Sequence, residues 1–198
     1  MIPLPTPSLW NPLTRSDFQH AAVSLCCEVA CIQAVAAVES YDVGFLTSGR
    51  PKMLFEAHHF SRLTSHVYDK SHPRVSSRRW DKTLYSDGEG EYIRLIEAMN
   101  LSNRAALESA SWGRFQIMGF NYKFAGFESV WDFVDDMFHS EGAQLDAFVN
   151  FLKSARLDKA LREKRWVDFA AGYNGSSYRQ NNYDIKLRDA YEKFSSRH

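Results

Sequence analysis

Apolar residues recur at helical spacing early in the chain: Phe18, Ala22, Leu25, Val29, Ile32 and Ala36 make one stripe between Asp17 and Val38. The stripe predicts a single long first helix, with Thr14 or Ser16 placed to cap its start. The period then changes. In DVGFLTSGRPKMLFE, residues 42 to 56, Ser48, Gly49 and Pro51 punctuate two extended halves, the pattern of a β-hairpin. Helical spacing returns at about 57–64, 91–99, 103–109, 112–118, 129–138, 140–154, 156–163 and 166–172. A last helix, about 178–195, carries Tyr183, Leu187, Ala190, Tyr191 and Phe194 on one face. The fold class that follows is mainly α, with a small β-hairpin after the first long helix.

Between 65 and 90 lies a polar stretch with Arg74, Arg78, Arg79 and Lys82. It predicts a long basic loop, suited either to solvation or to the approach of an anionic polymer. Residues 1–13 hold four of the six prolines and predict an extended tail, which leaves 14–198 as one domain.

Composition narrows the function. With 24 basic and 24 acidic residues in 198, the chain offers no electrostatic argument for nucleic acid. No apolar run approaches the roughly 20 residues of a membrane-spanning helix, so no integral membrane segment is expected. The N-terminus has neither the charged start nor the apolar stretch of a signal peptide, so synthesis in the cytoplasm is expected. Cys26, Cys27 and Cys31 cluster locally in odd number, which suits reduced thiols rather than a disulfide framework. A metal reading of Cys27 and Cys31 lacks a second pair at the spacing a zinc site needs.

One polar residue breaks the first stripe. Glu39 lies seven residues after Ile32 and three after Ala36, on the face that turns to the core. Burial disfavours its charged form, and so does the negative end of a helix. A carboxylic acid protonated near neutral pH can protonate a poor leaving group such as a glycosidic oxygen. The plainer alternative is a Glu that ends an amphipathic helix and reaches water.

The midpoint between Glu39 and Glu56 falls between Thr47 and Ser48, so a hairpin turning there returns Glu56 to the level of Glu39. Two carboxylates across a cleft suit a glycoside hydrolase. Glu56 could instead pair with Arg50 or Arg62, and Asp42, among turn-forming residues, suits a turn. Glu56, His58 and His59 do not make a metalloprotease motif, because adjacent histidines do not share a helix face and H-E-x-x-H is absent.

Four segments in order, AVAAVES (34–40), GRPKMLFEAHHF (49–60), SASWGRFQIMGFNY (109–122) and AAGYNGSSYRQNNYDIKL (170–187), resemble the N-acetylmuramidase family of phage endolysins and bacterial wall-degrading proteins. The likeness is collinear from about Leu13 to Tyr191. More distantly, Glu39-Ser40, the Gly113-x-x-Gln116-x-Met118 segment and Tyr173-Asn174-Gly175 are similar to the lysozyme superfamily. The resemblance implies a lysozyme-like α+β domain that hydrolyses the β-1,4 bond between N-acetylmuramic acid and N-acetylglucosamine, without a cofactor. It places Glu39 on the family's catalytic glutamate and Glu56 on a second acid.

Residue chemistry extends this site. Gln116 and Asn174 offer amides to N-acetyl and hydroxyl groups, and Trp112 and Tyr173 offer flat faces to a sugar ring. Ser111 supplies a further hydrogen bond or caps a helix beginning near Trp112. Trp112, Phe115 and Met118 equally fit a core stripe, and Tyr173 a core position.

Hydrolysis is the expected chemistry, leading to bacterial cell lysis. The alternatives are lytic transglycosylation, which needs no second carboxylate, and a lysozyme-like domain that binds glycan without cutting it. The expected partner is the peptidoglycan glycan strand, reached in the periplasm or cell wall after release or export. An endolysin and an exported effector look alike in sequence; an effector would bring an immunity or inhibitor protein as a further partner.

Overall fold

The computed structural model describes residues 3–7, 11–39 and 43–196; Ser40 and Asp42 lie outside them. The long first stripe folds as two helices, α1 (Arg15–Leu25) and α2 (Val29–Glu39), whose axes meet at 113°. The break falls at Cys26, whose φ of 52° is left-handed, while Cys26 and Cys27 donate backwards to the carbonyls of Val23 and Ala22. One helical period survives because both pieces still turn their apolar faces to the same core: Ala21, Ala22 and Leu25 from α1, and Cys31, Ile32, Val35 and Ala36 from α2. Thr14, not Ser16, caps α1. Its hydroxyl accepts from Asp17 N at 3.3 Å, and the Asp17 carboxylate accepts from Thr14 N at 2.7 Å, a capping box. No single helix is long and apolar enough to cross a membrane among the described residues.

The predicted hairpin forms. Leu46 N donates to Arg50 O and Lys52 N to Gly44 O, both at 2.7 Å, around Gly49 with φ of 80°. Past Lys52 the chain becomes β1 (Met53–Phe55) and pairs antiparallel with β2 (Ala110–Trp112), which pairs in turn with β3 (Ile117–Met118). In register, Leu54 faces Ser111 and Ser111 faces Met118.

Residues 112–118 are therefore a tight β-hairpin and not a helix. Gly113 and Gln116 take φ of 70° and 47°, outside the helical region, and Gly113 N donates to Lys52 O at 2.8 Å. The i, i+3 spacing of Trp112 and Phe115 imitates a helix because both side chains are buried from opposite ends of the turn.

The other helices are α3 (Ala57–Leu63), α4 (Glu89–Leu101), α5 (Asn103–Glu108), α6 (Val130–His139), α7 (Glu141–Ser154), α8 (Asp158–Arg162), α9 (Trp166–Asn174) and α10 (Tyr183–Ser195). The fold is mainly helical with one small three-stranded sheet. Helix α10 starts at Tyr183, later than the sequence period suggests, because residues 175–179 form a 3-10 turn.

The basic stretch from 65 to 90 is tied down rather than free. Asp69 accepts from Ser61 Oγ and Ser76 Oγ, each at 2.6 Å, and from Arg78 Nε at 3.0 Å. The buried pair Glu91–Arg94 of α4 then joins this stretch to the sheet. Arg94 donates to Arg74 O at 3.2 Å and to Phe55 O at 3.1 Å, and Glu91 accepts from Ser86 N at 2.6 Å and Phe55 N at 2.9 Å. The outer edge of β1 is thus satisfied by side chains of a helix instead of another strand.

Candidate active site

Glu39 is the last residue of α2, and α10 packs along α2 so that its first residue, Tyr183, meets Glu39. The Tyr183 hydroxyl donates to Glu39 Oε1. Burial pushes the Glu39 carboxyl up to about 7, against the pull of the Tyr183 hydrogen bond, which favours the ionised form. Arg114 Nη2 donates to Ala36 O at 3.3 Å and so satisfies a carbonyl of the last turn of α2.

Three adjoining hollows share Glu39 in their walls. The first, of about 470 Å³, is lined by Lys52, Leu54, Gly88, Arg114 and Gln116 among others. The second, of about 140 Å³, takes in Gln116, Met118, Asn121, Tyr173 and Asn174. The third, of about 310 Å³, takes in Asn174, Tyr178, Asn181 and Lys186. Gln116 is common to the first two and Asn174 to the last two, so the three hollows adjoin as a grooved surface around Glu39. The acid borders the open groove through all three.

Gln116 is clipped to its own hairpin: its Oε1 accepts from Ser111 Oγ at 2.8 Å and its Nε2 donates to Gly113 O at 2.8 Å. An amide has two N–H donors and two lone pairs on its oxygen, so one donor and one acceptor remain for the groove. Ser111 positions Gln116 and caps no helix, since none begins at Trp112. Asn174, at the exposed end of α9, borders the second and third hollows.

Trp112 offers no face to a sugar. It is 0% exposed, its Nε1 donates to Leu107 O at 3.1 Å, and its ring packs against Tyr92 and Phe138. Strand alternation explains this, for Ser111 points toward Gln116 and its neighbour must point to the core. Tyr173 is half-buried in the second hollow, its ring stacked on Phe169 and Tyr183 and its hydroxyl bonded to Phe115 O at 2.6 Å. It braces the hairpin turn against α9.

Glu56 lies in none of the three hollow walls around Glu39. Its backbone is extended (φ −102°, ψ 95°) and continues the alternation of β1, so Lys52, Leu54 and Glu56 follow one another on the groove face of the strand. Lys52 and Leu54 line the hollow, together with Met53 between them; Glu56, two residues past Leu54, does not. Its partners are neither Arg50 nor Arg62. Tyr85 Oη donates to Glu56 Oε2 at 2.6 Å, and His58 Nδ1 stands 3.2 Å from that oxygen, whereas Arg50 pairs with Glu89 and Arg62 with His59. Burial, with the charges of His58 and Arg62, lowers His59 to about 4, which keeps its ring neutral. No cluster of three His, Cys, Asp or Glu side chains suited to a metal occurs among the described residues.

Sequence reasoning missed Tyr183, Arg114 and Tyr85. Tyr183 reads as one more member of the apolar face of the last helix, and nothing local distinguishes it from Leu187.

A mainly helical domain with an acid at the helix-end floor of a groove is the build of a glycan-cleaving enzyme. The family model described as N-acetylmuramidase matches residues 28–195, and the chain belongs to that family, whose members are glycoside hydrolases acting on peptidoglycan. Among solved structures, the crystal structure of the Burkholderia AP3 phage endolysin superposes with a TM-score of 0.87 at 41% identity, covering 94% of this chain and 72% of that one. No curated protein sequence matches.

Proposed function

We propose that the protein hydrolyses the β-1,4 bond between N-acetylmuramic acid and N-acetylglucosamine, with Glu39 as general acid. The observation that carries this reading is a carboxyl raised to about 7 in the shared wall of three adjoining hollows. Glu39 transfers its proton to the glycosidic oxygen as the bond to C1 of N-acetylmuramic acid breaks; water adds to C1, and the proton it loses restores the acid. Glu56 is the second carboxylate of the proposal, steadying positive charge on the sugar or activating water. Gln116 and Asn174 hold N-acetyl and hydroxyl groups, and Ser111 and Tyr173 hold the hairpin that presents Gln116. The substrate lies in the periplasm or cell wall, so the protein meets it after release or export.

A second reading, lytic transglycosylation, is favoured by one observation: Glu56 stands outside the hollows that Glu39 lines. In that chemistry the sugar's own 6-hydroxyl attacks C1 and no second carboxylate is required. Mass spectrometry of digested peptidoglycan separates the two. Reducing N-acetylmuramic acid ends support hydrolysis, and a dominance of 1,6-anhydro ends supports transglycosylation. Turbidity loss of permeabilised Gram-negative cells with wild type but not with Glu39→Gln supports catalysis; equal lysis by both removes Glu39 from the mechanism.

A further inference from the structure

The groove does not stop at Glu39. Lys52, Met53 and Leu54 line the first hollow, and Glu56 lies outside its wall, a further step of about 7 Å along the strand from Leu54. Ser86, Asp87 and Gly88 line the first hollow as well. Tyr85, one residue before them, bonds to Glu56, and the indole of Trp80 packs edge-on against Tyr85 with centroids 6.2 Å apart. Trp80 is 60% exposed, in contrast to Trp112, which is wholly buried.

A single exposed apolar side chain is ordinary on a protein surface. Trp80 differs in being anchored. Its contact, Tyr85, is held by the Glu56 carboxylate and lies 5.9 Å from the Arg94 guanidinium. The 3-10 turn Lys82–Leu84 between the two rings is capped by Asp81, which accepts from Thr83 N at 2.9 Å and Thr83 Oγ1 at 2.7 Å. The segment is also stapled to α4 by Ser86 N and Glu91. An indole held in this way is a rigid platform at low entropic cost to a ligand.

Tyr85 in turn links the indole to Glu56, whose second oxygen takes no hydrogen bond from Tyr85 and whose first stands 3.2 Å from His58 Nδ1. A flat, exposed indole face matches a pyranose ring, which offers one C–H face for packing. We infer that Trp80 forms a remote saccharide subsite, where an N-acetylhexosamine of the same strand that crosses Glu39 packs on the indole. This inference rests on the muramidase reading for the identity of the strand, and on the geometry alone for the presence of a sugar.

The test uses Glu39→Gln, to stop turnover, and peptidoglycan glycan strands freed of their peptides. Binding is measured by calorimetry for Glu39→Gln alone and combined with Trp80→Ala or Trp80→Phe. The inference expects Trp80→Ala to weaken binding about tenfold, the order of one aromatic packing contact, and Trp80→Phe to keep most of it. It also expects bound strands to shield the exposed indole from acrylamide quenching, a signal absent in Trp80→Phe. Equal affinity for all three proteins, no binding by any, or no shielding overturns it. Wild-type protein that leaves the strands uncut while the Trp80 effects persist overturns the muramidase reading and leaves the subsite standing.

Discussion

The hydroxyl of Tyr183, first residue of α10, donates a hydrogen bond to Oε1 of Glu39, last residue of α2, so two helix ends 144 residues apart meet at one acid. The bond favours the ionised carboxylate and opposes burial, which favours the neutral form. Replacing Tyr183 by Phe removes the first influence and keeps the second. The alkaline limb of the kcat profile should then move up by roughly one pH unit, since a hydrogen bond of about 1.5 kcal/mol is lost from the charged form only. A pH–rate profile that stays in place, or moves to lower pH, contradicts the assignment of that limb to Glu39.

Glu39 also sets a pH dependence of stability. Its carboxyl titrates near 4.5 unfolded and about 7 folded, so between those values the native state holds a proton that the unfolded chain has lost. Stability therefore falls as pH rises through that window, by at most roughly 3 kcal/mol at pH 8. Glu39→Gln cannot ionise. It should melt about 5–10 °C above wild type at pH 8 and close to it at pH 4, while abolishing lysis. Differential scanning calorimetry at the two pH values checks both signs.

Trp112 belongs to the core, and its truncation should behave accordingly. Trp112→Ala opens a cavity among Tyr92, Phe138 and Met53's strand and removes the indole hydrogen bond to the carbonyl of Leu107. Urea unfolding should show a loss of about 3–5 kcal/mol. Strand affinity of the fraction that remains folded should match wild type; a stable variant with weak binding would instead place the indole in the groove.

The buried pair Glu91–Arg94 makes a separate prediction. Arg94→Met leaves the Glu91 carboxylate buried without its cation and frees the carbonyls of Phe55 and Arg74. A loss of about 3–5 kcal/mol is expected. Hydrogen exchange should accelerate first in residues 74–86, because Arg94 and Glu91 tie that stretch to the sheet; uniform acceleration would show that the pair has no local role.

What the sequence determined by itself is whatever short-range periodicity and turn chemistry encode. The apolar stripe through Ile32 and Ala36 places Glu39 on the core side, and Gly49 with its neighbours sets the turn that brings Lys52 back to Gly44. Tertiary structure decided the rest. The break at Cys26 and the hairpin at 112–118 replace helices that local spacing allows, since a left-handed residue and a strand pairing win once β1 and the core are present. Likewise Tyr183 for Glu39 and Tyr85 for Glu56 are partners chosen by how α10 lies on α2 and how the 65–90 stretch folds onto α4, contacts between distant segments that no local window of residues contains.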